Sequence, residues 1–119
     1  MSTSVSKVKL SASTDGRPIK VTATSSPGTT IHTATSTSGA VDRIFVYAFN
    51  TSASTVALTM QLGGTTSPDD ELKVSIPGQS GSVLVVAGWL YDNGAVLRAY
   101  AATANVINIT GEVERIVVT

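Results

Sequence analysis

The chain has 119 residues, eight Lys/Arg against eight Asp/Glu, no cysteine, and a charged fraction of only 13%. That length fits one domain able to bury roughly two-thirds of its unfolded surface without a covalent staple. The missing thiols exclude disulfides, zinc–thiolate sites and cysteine nucleophiles, and the charge balance gives no electrostatic reason to expect nucleic acid or an anionic membrane as partner.

Residues 1–17 alternate weakly, with Val5, Val8 and Leu10 set among Ser, Lys and Thr, and end on Ser13-Thr14-Asp15-Gly16, a turn signal. The expectation is an extended N-terminal arm over 1–17, followed by a β domain over 18–119. The first ten residues, MSTSVSKVKL, lack the apolar centre of a secretory signal, so synthesis without an export signal is expected. No apolar run reaches the roughly 20 residues that span a bilayer. About a quarter of the chain is Ser or Thr, a composition suited to the wet face of a strand.

Strand patterns begin at Ile19, Val21 and Ala23, which alternate with Lys20, Thr22 and Thr24 until Pro27-Gly28. Thr29 to Thr35 is a second extended piece and carries the sole histidine, His32, expected to be half-exposed. The stretch VDRIFVYAFN, Val41 to Asn50, is apolar on both faces: Ile44, Val46 and Ala48 share one side, Phe45, Tyr47 and Phe49 the other. Such a strand belongs in the middle of a sheet, between a core and something else that covers it.

Val56, Leu58, Met60 and Leu62 alternate with Thr55, Ala57, Thr59 and Gln61, and the short turn before them predicts a hairpin with the preceding strand. Leu72, Val74 and Ile76 mark the next strand, stopped by Pro77-Gly78. Ser82 to Ala87 is apolar on both faces and is expected near a sheet centre. Asp92-Asn93-Gly94 is a hairpin cue leading into Ala95–Ala101. In the last strand, Val106–Val118, Ile107, Ile109 and Val113 share a face, and the alternation slips near Arg115, which predicts a bulge or a strand leaving the sheet.

About eight strands at ten-residue spacing, without a helical stretch, argue an all-β fold: an antiparallel β-sandwich or jelly roll, with an up-and-down barrel as the rival. Chemistry has little to rest on. His32 stands alone where a metal site needs three or four ligands and a triad needs partners. Glu112 and Glu114 share a face, as a glycosidase pair would, but read as outer-face charges beside Arg115. Asp69, Asp70 and Glu71 lack the alternating oxygens of a calcium loop. Trp89, Tyr91 and Tyr100 could stack on sugars or bases, although packing is the commoner use of so few aromatics. No catalytic residue, metal or cofactor is therefore expected.

Pro18 to Ile116 resembles small structural proteins of tailed-bacteriophage virions. The likeness rests on the lead-in TTIHTATSTSGAV, the strand VDRIFVYAFN, the stop KVSIPG, the VLVV strand and the tail VLRAYAATANVINITGEVERI. It implies a capsid decoration or cement protein, a homotrimer on the capsid surface of the virion that is made in the host cytoplasm and bridges subunits of the major capsid protein. Phe45, Tyr47 and Phe49, with Trp89 and Tyr91, are then the expected subunit-interface residues, and the arm would add a strand to a neighbour's sheet edge. Asp42-Arg43 at the head of the central strand departs from the family pattern, as does the long arm. The alternative is a tail or fibre module that binds a receptor or carbohydrate through Trp89 and Tyr91.

Overall fold

The doubly apolar stretch around Ile44 forms an interior strand, flanked on both sides by strands far from it in sequence. A computed structural model describes residues 2–118; Met1 and Thr119, the outer ends of the expected arm and domain, lie outside the described residues. Among the described residues there are nine strands and no helix: β1 Thr3–Val8, β2 Ile19–Lys20, β3 Thr29–Thr33, β4 Ala40–Asn50, β5 Val56–Leu62, β6 Glu71–Ile76, β7 Val83–Tyr91, β8 Val96–Ala101 and β9 Ile107–Val118.

The strands form two antiparallel sheets compatible with a β-sandwich. The first runs β1-β9-β4-β7, with β2 also paired to β9; the second runs β3-β8-β5-β6. Between them lies one apolar cluster that includes Ile44, Val46, Leu58, Met60, Leu97, Ile107 and Ile109, all fully buried. Each such side chain contributes roughly 1.5–3 kcal/mol by leaving water. Residues of the expected arm divide: Thr3–Val8 is the edge strand β1, aligned with Val113–Val118 without a register shift, and Leu10 inserts into the core at 2% exposure.

Several local expectations change once two sheets exist. β4 and β5 do not pair as a hairpin; they lie in different sheets, and Asn50 holds the crossing. Its Nδ2 donates to the carbonyls of Ser54 at 2.7 Å and Ile76 at 3.0 Å, while its Oδ1 accepts from the Ser52 N–H at 2.9 Å and its hydroxyl at 2.8 Å. All four hydrogen-bonding positions of that buried amide are used. The Asp92-Asn93-Gly94 turn also forms, with positive φ at Asn93 and Gly94 and an Ala95 N–H bond to the Asp92 carbonyl. The strands it joins still go to separate sheets.

β7 is an edge strand, not a central one: among the described residues β4 is its sole partner strand, and two register shifts interrupt that ladder. The second shift falls at Gly88, with φ +83°, where a Cβ would meet Arg43 and the Phe45 ring. β9, by contrast, keeps a regular register past Arg115. The alternation slips there because Arg115 occupies a core-facing position and reaches a buried acid. On β5, Thr59 and Gln61 turn away from the core as expected and are nonetheless buried. The 22–28 segment covers Gln61, which accepts from the Gly28 N–H at 2.8 Å and donates to Ser26 at 2.9 Å.

Candidate interaction surface

Two polar arrangements stand out, one buried and one exposed. The buried one centres on Asp42, at 0% exposure, on the core-facing side of β4. Arg115 donates to it through Nε at 2.8 Å and Nη2 at 3.0 Å, the Thr35 N–H at 3.0 Å, and His32 through Nε2 at 2.9 Å. His32 is fully buried, which corrects the half-exposed expectation: a bulge in β3 between Thr30 and His32 turns both Ile31 and His32 inward. Its Nδ1 accepts the Ser11 N–H at 2.9 Å, so the ring proton sits on Nε2 and faces the carboxylate. Burial alone raises the Asp42 carboxyl; the bonds from Arg115, His32 and Thr35 outweigh it and hold it below its ordinary 3.8. Both ring nitrogens of His32 are occupied and no open position adjoins them, so the group joins three strands and a loop without presenting a base.

The exposed arrangement is the outer face of the first sheet. Register places Val5, Ile116 and Val41 in one cross-strand row, and Lys7, Glu114, Arg43 and Leu90 in the next. Phe45, Tyr47 and Phe49 continue the face along β4, with Ala87 and Leu84 of β7 beside the first two and Glu112, Thr110 and Asn108 of β9 on the other side. The three β4 aromatics are half-buried by these neighbours, whereas Val5 is 57% exposed, Leu84 48% and Leu90 61%. The Arg43 guanidinium lies 5.2 Å from the centre of the Phe45 ring. Glu112 and Glu114 do share a face, and both are taken up by ion pairs: each with Lys7 at 3.9 Å, and Glu114 with Arg43 at 3.8 Å.

The five expected interface residues are not brought onto one surface. Phe45, Tyr47 and Phe49 share the outer face. Trp89 and Tyr91 are paired with Ile44 and Asp42, so both sit on the core-facing side of β7 at its open edge. Tyr91 packs against the rim of the core, where burial pushes its phenol up, and Trp89 is 42% exposed. Tyr100 lies on the outer side of the second sheet and donates to Glu71 at 2.9 Å, so it does not extend a platform with Trp89. Leu84 and Leu90 belong to the exposed face and were missed, because a run apolar on both sides does not reveal which side the second sheet covers. Asp70 caps its own loop through the Thr66 N–H at 3.0 Å, and among the described residues no cluster of acids and histidine could hold a metal ion. Comparison with protein-family models, with curated proteins and with solved structures gives no match.

Proposed function

We propose that this protein is a structural component of a tailed-bacteriophage virion, a capsid decoration or cement protein that works by covering surface. In this reading it is a homotrimer on the capsid exterior, and the outer face of the first sheet is laid against neighbouring copies or the major capsid protein. The single observation that carries the reading is that face. From strand spacing and length it offers about 700 Å², close to the roughly 800 Å² that each partner of a standard interface buries. Its apolar part, Phe45, Tyr47 and Phe49 flanked by the exposed Leu84 and Leu90, is the kind of surface patch that marks a contact site. Arg43, Glu112, Glu114 and Lys7 cross it as a band with both signs of charge, which orients a partner more than it strengthens binding.

The strand order supports the finer description as a jelly roll. From β2 onward, consecutive strands pass between sheets at every link except the β5–β6 hairpin, giving β2-β9-β4-β7 opposite β3-β8-β5-β6. Two Greek keys wound this way are an arrangement used by viral capsid domains and by lectins. The proposal assigns no catalysis, cofactor, nucleic acid or membrane to the protein. Its test is a pull-down of the purified chain with undecorated capsids, combined with its mass in solution. Leu84→Lys and Leu90→Lys, both on exposed positions, are expected to abolish capsid binding with the fold intact; unchanged binding by both variants overturns the assignment of this face.

The exposed Trp89 at the open edge of β7 favours the second reading, a receptor- or carbohydrate-binding module of a tail or fibre. A glycan array comparing the native chain with Trp89→Ala separates the two: sugar binding lost with Trp89, alongside intact capsid attachment or none at all, supports the module.

A further inference from the structure

Among the described residues five strands lie at sheet edges: β2 is only two residues long, and three of the other four are blunted. β7 is broken by two register shifts and a positive-φ glycine. β3 is five residues long with a bulge between Thr30 and His32. β6 is six residues long, carries the exposed Lys73, and runs directly into Pro77. These are the usual devices against edge-to-edge pairing. β1 carries one of them, the exposed Lys7, which Glu112 and Glu114 of β9 hold toward its own sheet, but it has neither bulge nor proline. It is regular over Thr3–Val8, contains no proline or glycine, and follows β9 through six consecutive register pairs. In an antiparallel pair every second residue turns its N–H and C=O away from the partner strand, so β1 presents a straight row of such groups outward. Thr3 to Lys7 are all exposed, and only Val8 is half-buried.

We infer that β1 pairs antiparallel with β1 of a second copy of this chain, about a two-fold axis at Val5, fusing the two first sheets into one continuous sheet. The strand is self-complementary in that register. Val5 falls on the other copy's Val5, Ser4 on Ser6, and Thr3 on Lys7. No like charges stand opposite each other: the two Lys7 residues are four positions apart along the ladder, about 13 Å. Each Lys7 is already held toward its own β9 by Glu112 and Glu114, at 3.9 Å from both. The row Val5–Ile116–Val41 on the outer face meets its symmetry mate across the axis, so Val5, 57% exposed in the single copy, becomes the centre of a six-residue apolar row. A closed two-fold contact of this kind uses the same patch on both copies and stops at two. The contact is separate from the Phe45–Tyr47–Phe49 face and holds whether or not the protein belongs to a virion.

The test uses the intact chain and two variants at an exposed position that leaves the core untouched: Val5→Lys and Val5→Glu. Sedimentation velocity and native mass spectrometry are run from about 1 μM to about 1 mM. The native chain is expected to show twice the mass of either variant at the upper end, because like charges then face each other at the axis. An equimolar mixture of the two variants is expected to restore the doubled mass as a mixed pair. Equal mass for native and Val5→Lys chains over the whole range, or a mixture no heavier than its components, overturns the inference. Association through the aromatic face is read independently from Leu84→Lys, which leaves the Val5 contact unchanged.

Discussion

Replacing Asp42 by Ala tests whether the buried carboxylate organises its end of the sandwich. The change removes the acceptor of four hydrogen bonds, from Arg115 Nε and Nη2, His32 Nε2 and the Thr35 N–H. Arg115 is 32% exposed along its side chain and can take up water in place of the carboxylate. His32, 1% exposed, and the Thr35 N–H cannot. Two buried donors left unpaired cost about 1–3 kcal/mol each, and breaking a buried charge pair from one side costs about 3–5 kcal/mol in general. The expected loss at pH 7 is therefore about 3–5 kcal/mol, read by urea unfolding followed by far-UV circular dichroism, or a fall of roughly 10–20 °C in Tm. The pH dependence supplies a second check. Asp42 is held below its ordinary 3.8, so its contribution is fully present above that value and is lost as pH falls through the lower folded pKa. The native chain then converges on Asp42→Ala in acid. A cost under about 1 kcal/mol at pH 7, or a gap between the two proteins that persists unchanged to about pH 2, refutes the reasoning.

Asn50→Ala should cost about 2–4 kcal/mol in the same urea assay, since it strips partners from the Ser52 N–H and the Ile76 carbonyl at the crossing between sheets. Gly111→Ala should cost about 3 kcal/mol, because the added Cβ meets the Phe45 carbonyl oxygen, a backbone atom that cannot move aside. Gly88→Ala should cost about 1–2 kcal/mol from its φ of +83° and from contact with Arg43 and Phe45. Leu84→Ser, on a 48% exposed position, should leave the unfolding midpoint within about 0.5 kcal/mol of the native chain, which separates a residue kept for a partner from one kept for the fold.

Fold class was legible because period-2 alternation is a local signal. Val56, Leu58 and Met60, and likewise Ile107, Ile109 and Val113, face the core as their spacing predicts. Strand pairing was less legible. The turns after Asn50 and at Asn93-Gly94 have the chemistry of tight connections, yet a turn fixes only the few dihedrals within it and not which sheet receives the next strand. The Asp42 cluster was hidden for a related reason. Residues 32, 35, 42 and 115 meet only when β3 of one sheet packs over β4 and β9 of the other. Asp42 in an otherwise apolar strand and the broken alternation at Arg115 were the two traces it left in the sequence.

Apolar periodicity by itself determined that this chain is all-β, where most of its strands lie, and that β4 has two faces to cover; side-chain direction along a strand follows from backbone geometry alone. Only the tertiary structure decided the sheet to which each strand belongs, that β7 lies at an edge, and that Phe45, Tyr47 and Phe49 face away from Trp89. Those outcomes depend on contacts between residues tens of positions apart, whose energies are settled by burial and hydrogen-bond satisfaction once the two sheets close on each other.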